Sequence, residues 1–236
     1  MTESIIWIST ISEALYAKHY GDAIRTWHNL PGRKIVLFDG QAPVLDGIEF
    51  IDYWAAIKAD QTNWFTKKRG KKAMRLSYKA WAIHWAIKNL DYDRIIFIDA
   101  DISVHKPVPT ELLSNQDHLW STLSFNHSSN AEWSEYGQQV ESGLQIFNCR
   151  HPDIHPYVDT YIDFYESEKV YELYRPYDNW VSRAMLDLYP MDNLVLDPAV
   201  VRAVGEDTMK FTRFNGYMTH YLGKDNKENI PVQDIK

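Results

Sequence analysis

The sequence predicts an α/β fold: one domain whose central, mainly parallel sheet is covered by helices on both faces. Three observations lead there. The 236 residues fit one elaborated domain better than two, at roughly 150 residues per domain. The chain opens with an apolar run, a helical stretch and a second apolar run, and a helix between two strands favours parallel pairing. Further on, a long helix leads into Arg94–Ile98, a near-continuous apolar strand of the kind covered on both faces.

The elements follow in order. Ile5–Ile8 reads as a buried strand ending in the polar pair Ser9-Thr10. Ile11–Leu30 has helical length, with Ala14, Leu15, Ala23, Ile24 and Trp27 as apolar positions, and Pro31-Gly32 stops it. Lys34–Phe38 is the second strand, closed by the turn signal Asp39-Gly40, and Ile48–Tyr53 is the third. Lys71–Leu90 is a helix whose Leu76, Ala80, Ile83, Ile87 and Leu90 share one face, widened by Trp81 and Trp85. After Arg94–Ile98 come strands at Leu119–Phe125 and Val140–Phe147 and helices at Pro156–Val170 and Trp180–Leu188. The expected domain covers residues 1–223, with a polar tail over 224–236.

Composition narrows the function. A formal net charge of −7 argues against a general nucleic-acid binder, which needs a broad basic face. The single cysteine, Cys149, excludes an internal disulfide and a Cys-rich zinc module. No apolar run reaches the roughly 18–20 residues of a membrane span, and the first residues lack the basic segment of a signal peptide. A cytoplasmic location is expected. Nine of the residues are Trp.

The chemistry starts at Asp99-Ala100-Asp101, directly after the apolar strand. Strand alternation places both carboxylates on one face, with Ala100 on the other. That face opens on the crevice where α/β proteins bind ligands. Two acids so close repel, and a divalent cation relieves the repulsion; oxygen donors suit Mg²⁺ or Mn²⁺.

With these residues in place, the sequence resembles the GT-A class of nucleotide-sugar glycosyltransferases, a Rossmann-like fold. The match runs through Tyr78-Lys79-Ala80 and then Asp93 to Asp101. It continues in Glu141-Ser142-Gly143-Leu144-Gln145-Ile146-Phe147-Asn148 and in His220-Tyr221-Leu222-Gly223-Lys224. The last element is similar to the His-x-x-Gly-Lys of the retaining branch that includes glycogenin and the lipopolysaccharide galactosyltransferases. The resemblance implies a metal held by Asp99, Asp101 and His220. It implies donor contacts from Ala100, Lys79, Ser142 and Gly143, with Gly223 and Lys224 at the diphosphate. Ser9, Thr10 and Asp39 would meet the base or ribose. Glu141, Asp178 and Asn179 would face the acceptor or the anomeric carbon; the related families commonly carry Asn and Asp-Gln at those places. The implied partners are a nucleoside-diphosphate sugar, with UDP favoured, and a glycan, glycolipid or protein acceptor, with peripheral membrane contact allowed.

Other features are weighed alongside. Asp178 could equally cap the helix it begins. The basic run Lys67–Lys72 is either a solvated loop or a site for an anionic group. Trp7, Trp81 and Trp85 read as core, whereas Trp64, Trp133 and Trp180 read as candidates for an acceptor pocket. Two rival functions stay open. One is a phosphohydrolase of the haloacid dehalogenase type, whose Asp-x-Asp normally follows the first strand. The other is a sugar- or nucleotide-binding module without catalysis.

Overall fold

The computed structural model describes residues 3–57, 63–66, 71–114, 117–125, 139–190, 192–193 and 207–221. Within them a seven-stranded sheet has the order β3-β2-β1-β4-β7-β6-β8. The strands are β1 (Ile5–Ser12), β2 (Arg33–Asp39), β3 (Glu49–Asp52), β4 (Arg94–Ile98), β6 (Trp120–Phe125), β7 (Gln139–Asn148) and β8 (Asp192–Asn193). Only β7 runs against the rest, since it pairs antiparallel with both β4 and β6. A second, two-stranded sheet joins β5 (Ile102–Val104) to β9 (Met218–His220). The tail expected over 224–236 lies outside the described residues.

Alternation along β1 feeds two cores. Ile6 and Ile8 join one with α3 (Tyr53–Ile57), α5 (Lys71–Asn89), α6 (Ile154–Glu166) and α7 (Asp178–Leu188). Ile5, Trp7 and Ile11 join the other with α2 (Gly21–Arg25), the turn through Trp27, and β5 and β9. The remaining short α-helices among the described residues are α1 (Glu13–Leu15) and α4 (Asn63–Thr66). Gly32 closes the turn into β2 at φ 79°, and a Cβ there would stand 2.4 Å from the Ile5 carbonyl oxygen. Only glycine satisfies both demands.

The expected Ile11–Leu30 helix is the main difference. The strand continues to Ser12, and a wide five-residue π-turn over Tyr16–Tyr20 separates α1 from α2. Parallel pairing of Thr10, Ile11 and Ser12 with β2 wins over their helical spacing. The helix expected at Pro156 begins at Ile154, where Pro156 sits in the first turn and loses no intrahelical bond. It ends before Glu168, which takes the left-handed conformation at φ 66°.

The strand order sets the position of the site. From β1 the chain steps outward through β2 to β3, then returns to the other side of β1 as β4. That reversal is the switch point at which open α/β sheets bind ligands, beyond the carboxyl ends of the strands. The β1–β4 ladder stops at Ile8 opposite Phe97. One residue later, the Ser9 hydroxyl donates to the Ile98 carbonyl at 2.7 Å and closes the pair where the strands part.

Candidate active site

β4 ends at Ile98, so Asp99 and Asp101 stand on a turn, not on alternating strand positions. The turn is closed by the Ile102 N–H donating to the Asp99 carbonyl at 3.1 Å, and the Asp99 N–H donates to the Gly143 carbonyl at 2.8 Å. The carboxylates still converge. Donor atoms of Asp99, Asp101 and His220 all lie within 4.8 Å of one another.

His220 comes from far along the chain and is set by the small sheet. It pairs with Ile102, the residue after Asp101. The Tyr221 N–H donates to the Asp101 carbonyl at 3.1 Å, and the His220 N–H donates to the Asp207 carboxylate at 2.9 Å. The imidazole Nε2 is thereby held 3.2 Å from Asp101 Oδ1.

A bulge in β7 supplies the opposite wall. Thr122 of β6 pairs with Gln145, but the next residue, Leu123, pairs with Glu141. Ser142, Gly143 and Leu144 are the surplus, and bulges of this kind re-aim side chains beside sites. The Thr122 hydroxyl donates to the carbonyls of Glu141 and Leu144, and the Gln145 amide donates to the Ser142 carbonyl, which seals the irregularity. A Cβ on Gly143 would fall 2.7 Å from His220 Cε1 and 3.1 Å from Asp99 Oδ2. No other residue fits there without displacing both.

Lys79 anchors the inner face. Its ammonium lies 3.0 Å from Asp99 Oδ1 and 2.8 Å from Asp178 Oδ2, and it donates to the Ser142 carbonyl and hydroxyl. Ser142 in turn donates to Asp178 at 2.6 Å. Lys79, Asp101, Glu141, Asp178 and His220 are each at most 9% exposed. Burial alone would depress the Lys79 ammonium, but the Asp178 and Asp99 carboxylates hold its pKa above the ordinary value. Burial raises Asp178, and Lys79 with the Ser142 hydroxyl more than reverses this, so its pKa ends low.

The remaining electrostatics are those of an acidic pocket. Burial and the neighbouring Asp101 push Asp99 up to about 6 against the opposing pull of Lys79. Burial depresses the His220 imidazole, yet Asp101 and Glu141 overcome it and raise its pKa to about 9. Four carboxylates thus face one ammonium and one imidazole, with the Arg75 guanidinium at the border of the cavity, and the acidic cluster draws positive charge. The donor set fits Mn²⁺ or Mg²⁺, which favour carboxylate oxygen, with imidazole acceptable to Mn²⁺. Adjacent ligands of an octahedral ion with bonds near 2.1 Å stand about 3 Å apart, close to the Asp101–His220 spacing.

Two cavities meet here. One, of about 370 Å³, is walled by Asp99, Asp101, Glu141, Ser142, Asp178, Asn179, Lys79 and His220. The other, of about 350 Å³, is walled by Thr10, Ile11, Ser12, Leu15, Asp39, Met74, Arg75 and Tyr78. Thr10 and Arg75 border both, so they form two halves of one cleft.

Most sequence candidates meet in this cleft, with exceptions. Ser9 is fully buried and spent on Ile98, so it is no ligand contact. Ala100 packs into the second core and borders neither cavity. Asp178 is the first residue of α7, after the N-cap Tyr177, and its carboxylate serves Lys79 and Ser142 as well as the backbone of Asn179. Asp39 borders the second cavity while accepting from Trp54 Nε1 at 2.7 Å. Trp64 is fully buried and donates to Ser77, and Trp180 is 6% exposed, so both are packing residues. Gly223, Lys224, Trp133 and Lys67–Gly70 lie outside the described residues. Arg75, Met74 and Tyr78 were not singled out as cleft residues by the sequence. Arg75 lies one helical turn before Lys79 on the same face, and that phase was the available signal.

No family model matches the sequence, and no match was found among curated proteins. Solved structures do match. The chain is similar to the WbbM bifunctional glycosyltransferase in its apo form, at 15% identity and TM-score 0.59, covering 99% of this chain and 50% of that one. It thus spans about half the length of that protein. It is also similar to a glycosyltransferase involved in glycosylation of the major capsid of PBCV-1, at 13% identity and TM-score 0.55, covering 96% and 99%. An active-site mutant of LgtC aligns at 15% identity and TM-score 0.54, covering 93% and 88%. At such identities the shared property is the backbone, and that backbone is the GT-A glycosyltransferase fold.

Proposed function

We propose that this chain, built on the GT-A glycosyltransferase fold, is a metal-dependent enzyme that moves a hexosyl group from a nucleoside-diphosphate sugar to an acceptor hydroxyl. The observation that carries the reading is the Asp99–Asp101–His220 cluster, half-buried at Asp99 and buried at the other two, at the sheet's switch point in the floor of a two-part cleft. Asp99, Asp101 and His220 would hold the cation, Mn²⁺ or Mg²⁺. Such a cation supplies a Lewis acid that stabilises charge on the leaving nucleoside diphosphate.

The rest is done by the chain itself. The cavity at Thr10, Asp39 and Tyr78 would take the nucleoside, with uridine favoured by the family resemblance. Arg75, between the two cavities, would neutralise the diphosphate, because guanidinium suits paired phosphate oxygens. Lys79 holds Asp99 in place through an ion pair. Ser142 and Gly143 would face the sugar, and Asn179 borders the end where the acceptor hydroxyl would enter. Retention of configuration is the favoured outcome, from the His220-centred element, and the expected setting is cytoplasmic. The acceptor would be a glycan, glycolipid or protein.

Two rivals are weaker. A phosphohydrolase would carry its acidic pair after the first strand, whereas here it follows β4. A binding module without catalysis would have no need of the complete acid–acid–histidine set.

The test is donor turnover. Asp101→Ala and His220→Ala are expected to lower Mn²⁺-dependent hydrolysis of the UDP-sugar donor by at least a hundredfold, as loss of charge stabilisation in a dry site commonly does. Full activity in either folded variant would remove the metal assignment.

A further inference from the structure

His220 meets a carboxylate on each side. Nε2 lies 3.2 Å from Asp101 Oδ1, and Nδ1 lies 3.8 Å from Glu141 Oε1. Asp101, His220 and Glu141 are all buried. The two nitrogens are therefore not equivalent. If Asp101 is a metal ligand, Nε2 is on the metal side and Nδ1 is turned away from it.

Glu141 is itself fixed. Its Oε1 accepts from the Gly143 N–H at 3.2 Å. Its carbonyl accepts from the Thr122 hydroxyl at 2.9 Å. Its backbone pairs with Leu123 on the far side of the β7 bulge. Gly143 leaves the path between ring and carboxylate open, because a Cβ there would stand 2.7 Å from His220 Cε1 and 3.2 Å from Glu141 Oε1. A histidine that ligates through one nitrogen commonly gives its other N–H to a carboxylate, which sets tautomer and ring angle.

We propose that Glu141 is a positioning residue for the metal centre: its carboxylate holds His220 with the proton on Nδ1 and Nε2 presented beside Asp101. This rests on the metal-dependent reading above and goes beyond it. Glu141 then acts on the imidazole, and the β7 bulge exists in part to bring it there.

Mn²⁺ affinity, followed by electron paramagnetic resonance with and without UDP, tests the assignment independently of turnover. Glu141→Ala, with thermal denaturation confirming its fold, is expected to bind Mn²⁺ roughly 10–100-fold more weakly. Glu141→Gln keeps an oxygen that can accept from Nδ1–H and is expected to lose affinity only severalfold. Should Glu141→Ala fail to fold, Glu141→Gln carries the test, and unchanged affinity in it overturns the proposal. Wild-type Mn²⁺ affinity in folded Glu141→Ala together with a raised acceptor KM would also overturn it, placing Glu141 against the acceptor while the metal reading survives. If the wild-type protein binds no Mn²⁺ in either condition, the metal reading fails and this proposal with it.

Discussion

Arg75 shows what a single residue adds that its sequence context conceals. Seven of the 25 basic residues fall between Lys67 and Lys79, so no one of them stands out in the sequence. In the fold, the Lys79 charge is committed to Asp99 and Asp178, while Arg75 is exposed at the junction of the two cavities. Charge-assisted hydrogen bonds contribute roughly 1.5–3 kcal/mol. Arg75→Ala is therefore expected to weaken UDP binding about tenfold or more and to leave uridine binding unchanged, as isothermal calorimetry would read. Equal losses for both ligands would place Arg75 at the base instead. The convergence of Asp99, Asp101, Lys79 and His220 was legible because a motif carries each of them. The burial of Ser9 was missed because the apolar run stops at Ile8 although the strand does not, and that of Trp64 because Phe65 is the one apolar residue near it in the chain, which hid its packing against Ser77 of α5 and Tyr165 of α6.

At the scale of elements, the long periodic segments were legible and the short pairings were not. α5 and β4 have enough residues for a pattern to show. β5 and β9 have three residues each, and they join segments more than a hundred positions apart. Yet that pairing places His220 beside the acidic pair. The β7 bulge is equally silent, since its surplus residues are sealed not only by the adjacent Gln145 but by Thr122 of another strand. Asp93 ties three strand ends together. It accepts from the Ser4 N–H and hydroxyl and from Arg150, which follows β7. The Ser4 backbone bond and Arg150 hold its pKa down at about 2. Because this folded value lies below the unfolded one, the stabilisation is complete above about pH 4 and fades as pH falls toward 2. Asp93→Asn is expected to cost about 1 kcal/mol at neutral pH, after discounting for solvent screening. The difference in melting temperature from wild type should shrink between pH 4 and pH 2. A difference independent of pH over that window would mean that the carboxylate charge is not what holds these strand ends.

At the scale of the molecule, the proposed function would require an acidic chain to accommodate an anionic donor. The net charge of −7 and the four carboxylates around the cleft floor repel a diphosphate. A cation at Asp99, Asp101 and His220 reverses that local field. No described helix is long and apolar enough to cross a membrane. Binding of donor and of metal should therefore be strongly coupled, each poor alone. Thermal denaturation with UDP and Mn²⁺, added singly and together, tests this most directly. A ligand at a hundred times its Kd adds about 2.7 kcal/mol of stability, which for a chain of this size raises the midpoint by roughly 5–10 °C. The predicted result is a shift of that order only when both are present. A shift with UDP alone that Mn²⁺ or Mg²⁺ does not increase, or no shift under any condition, would contradict a metal-dependent donor site.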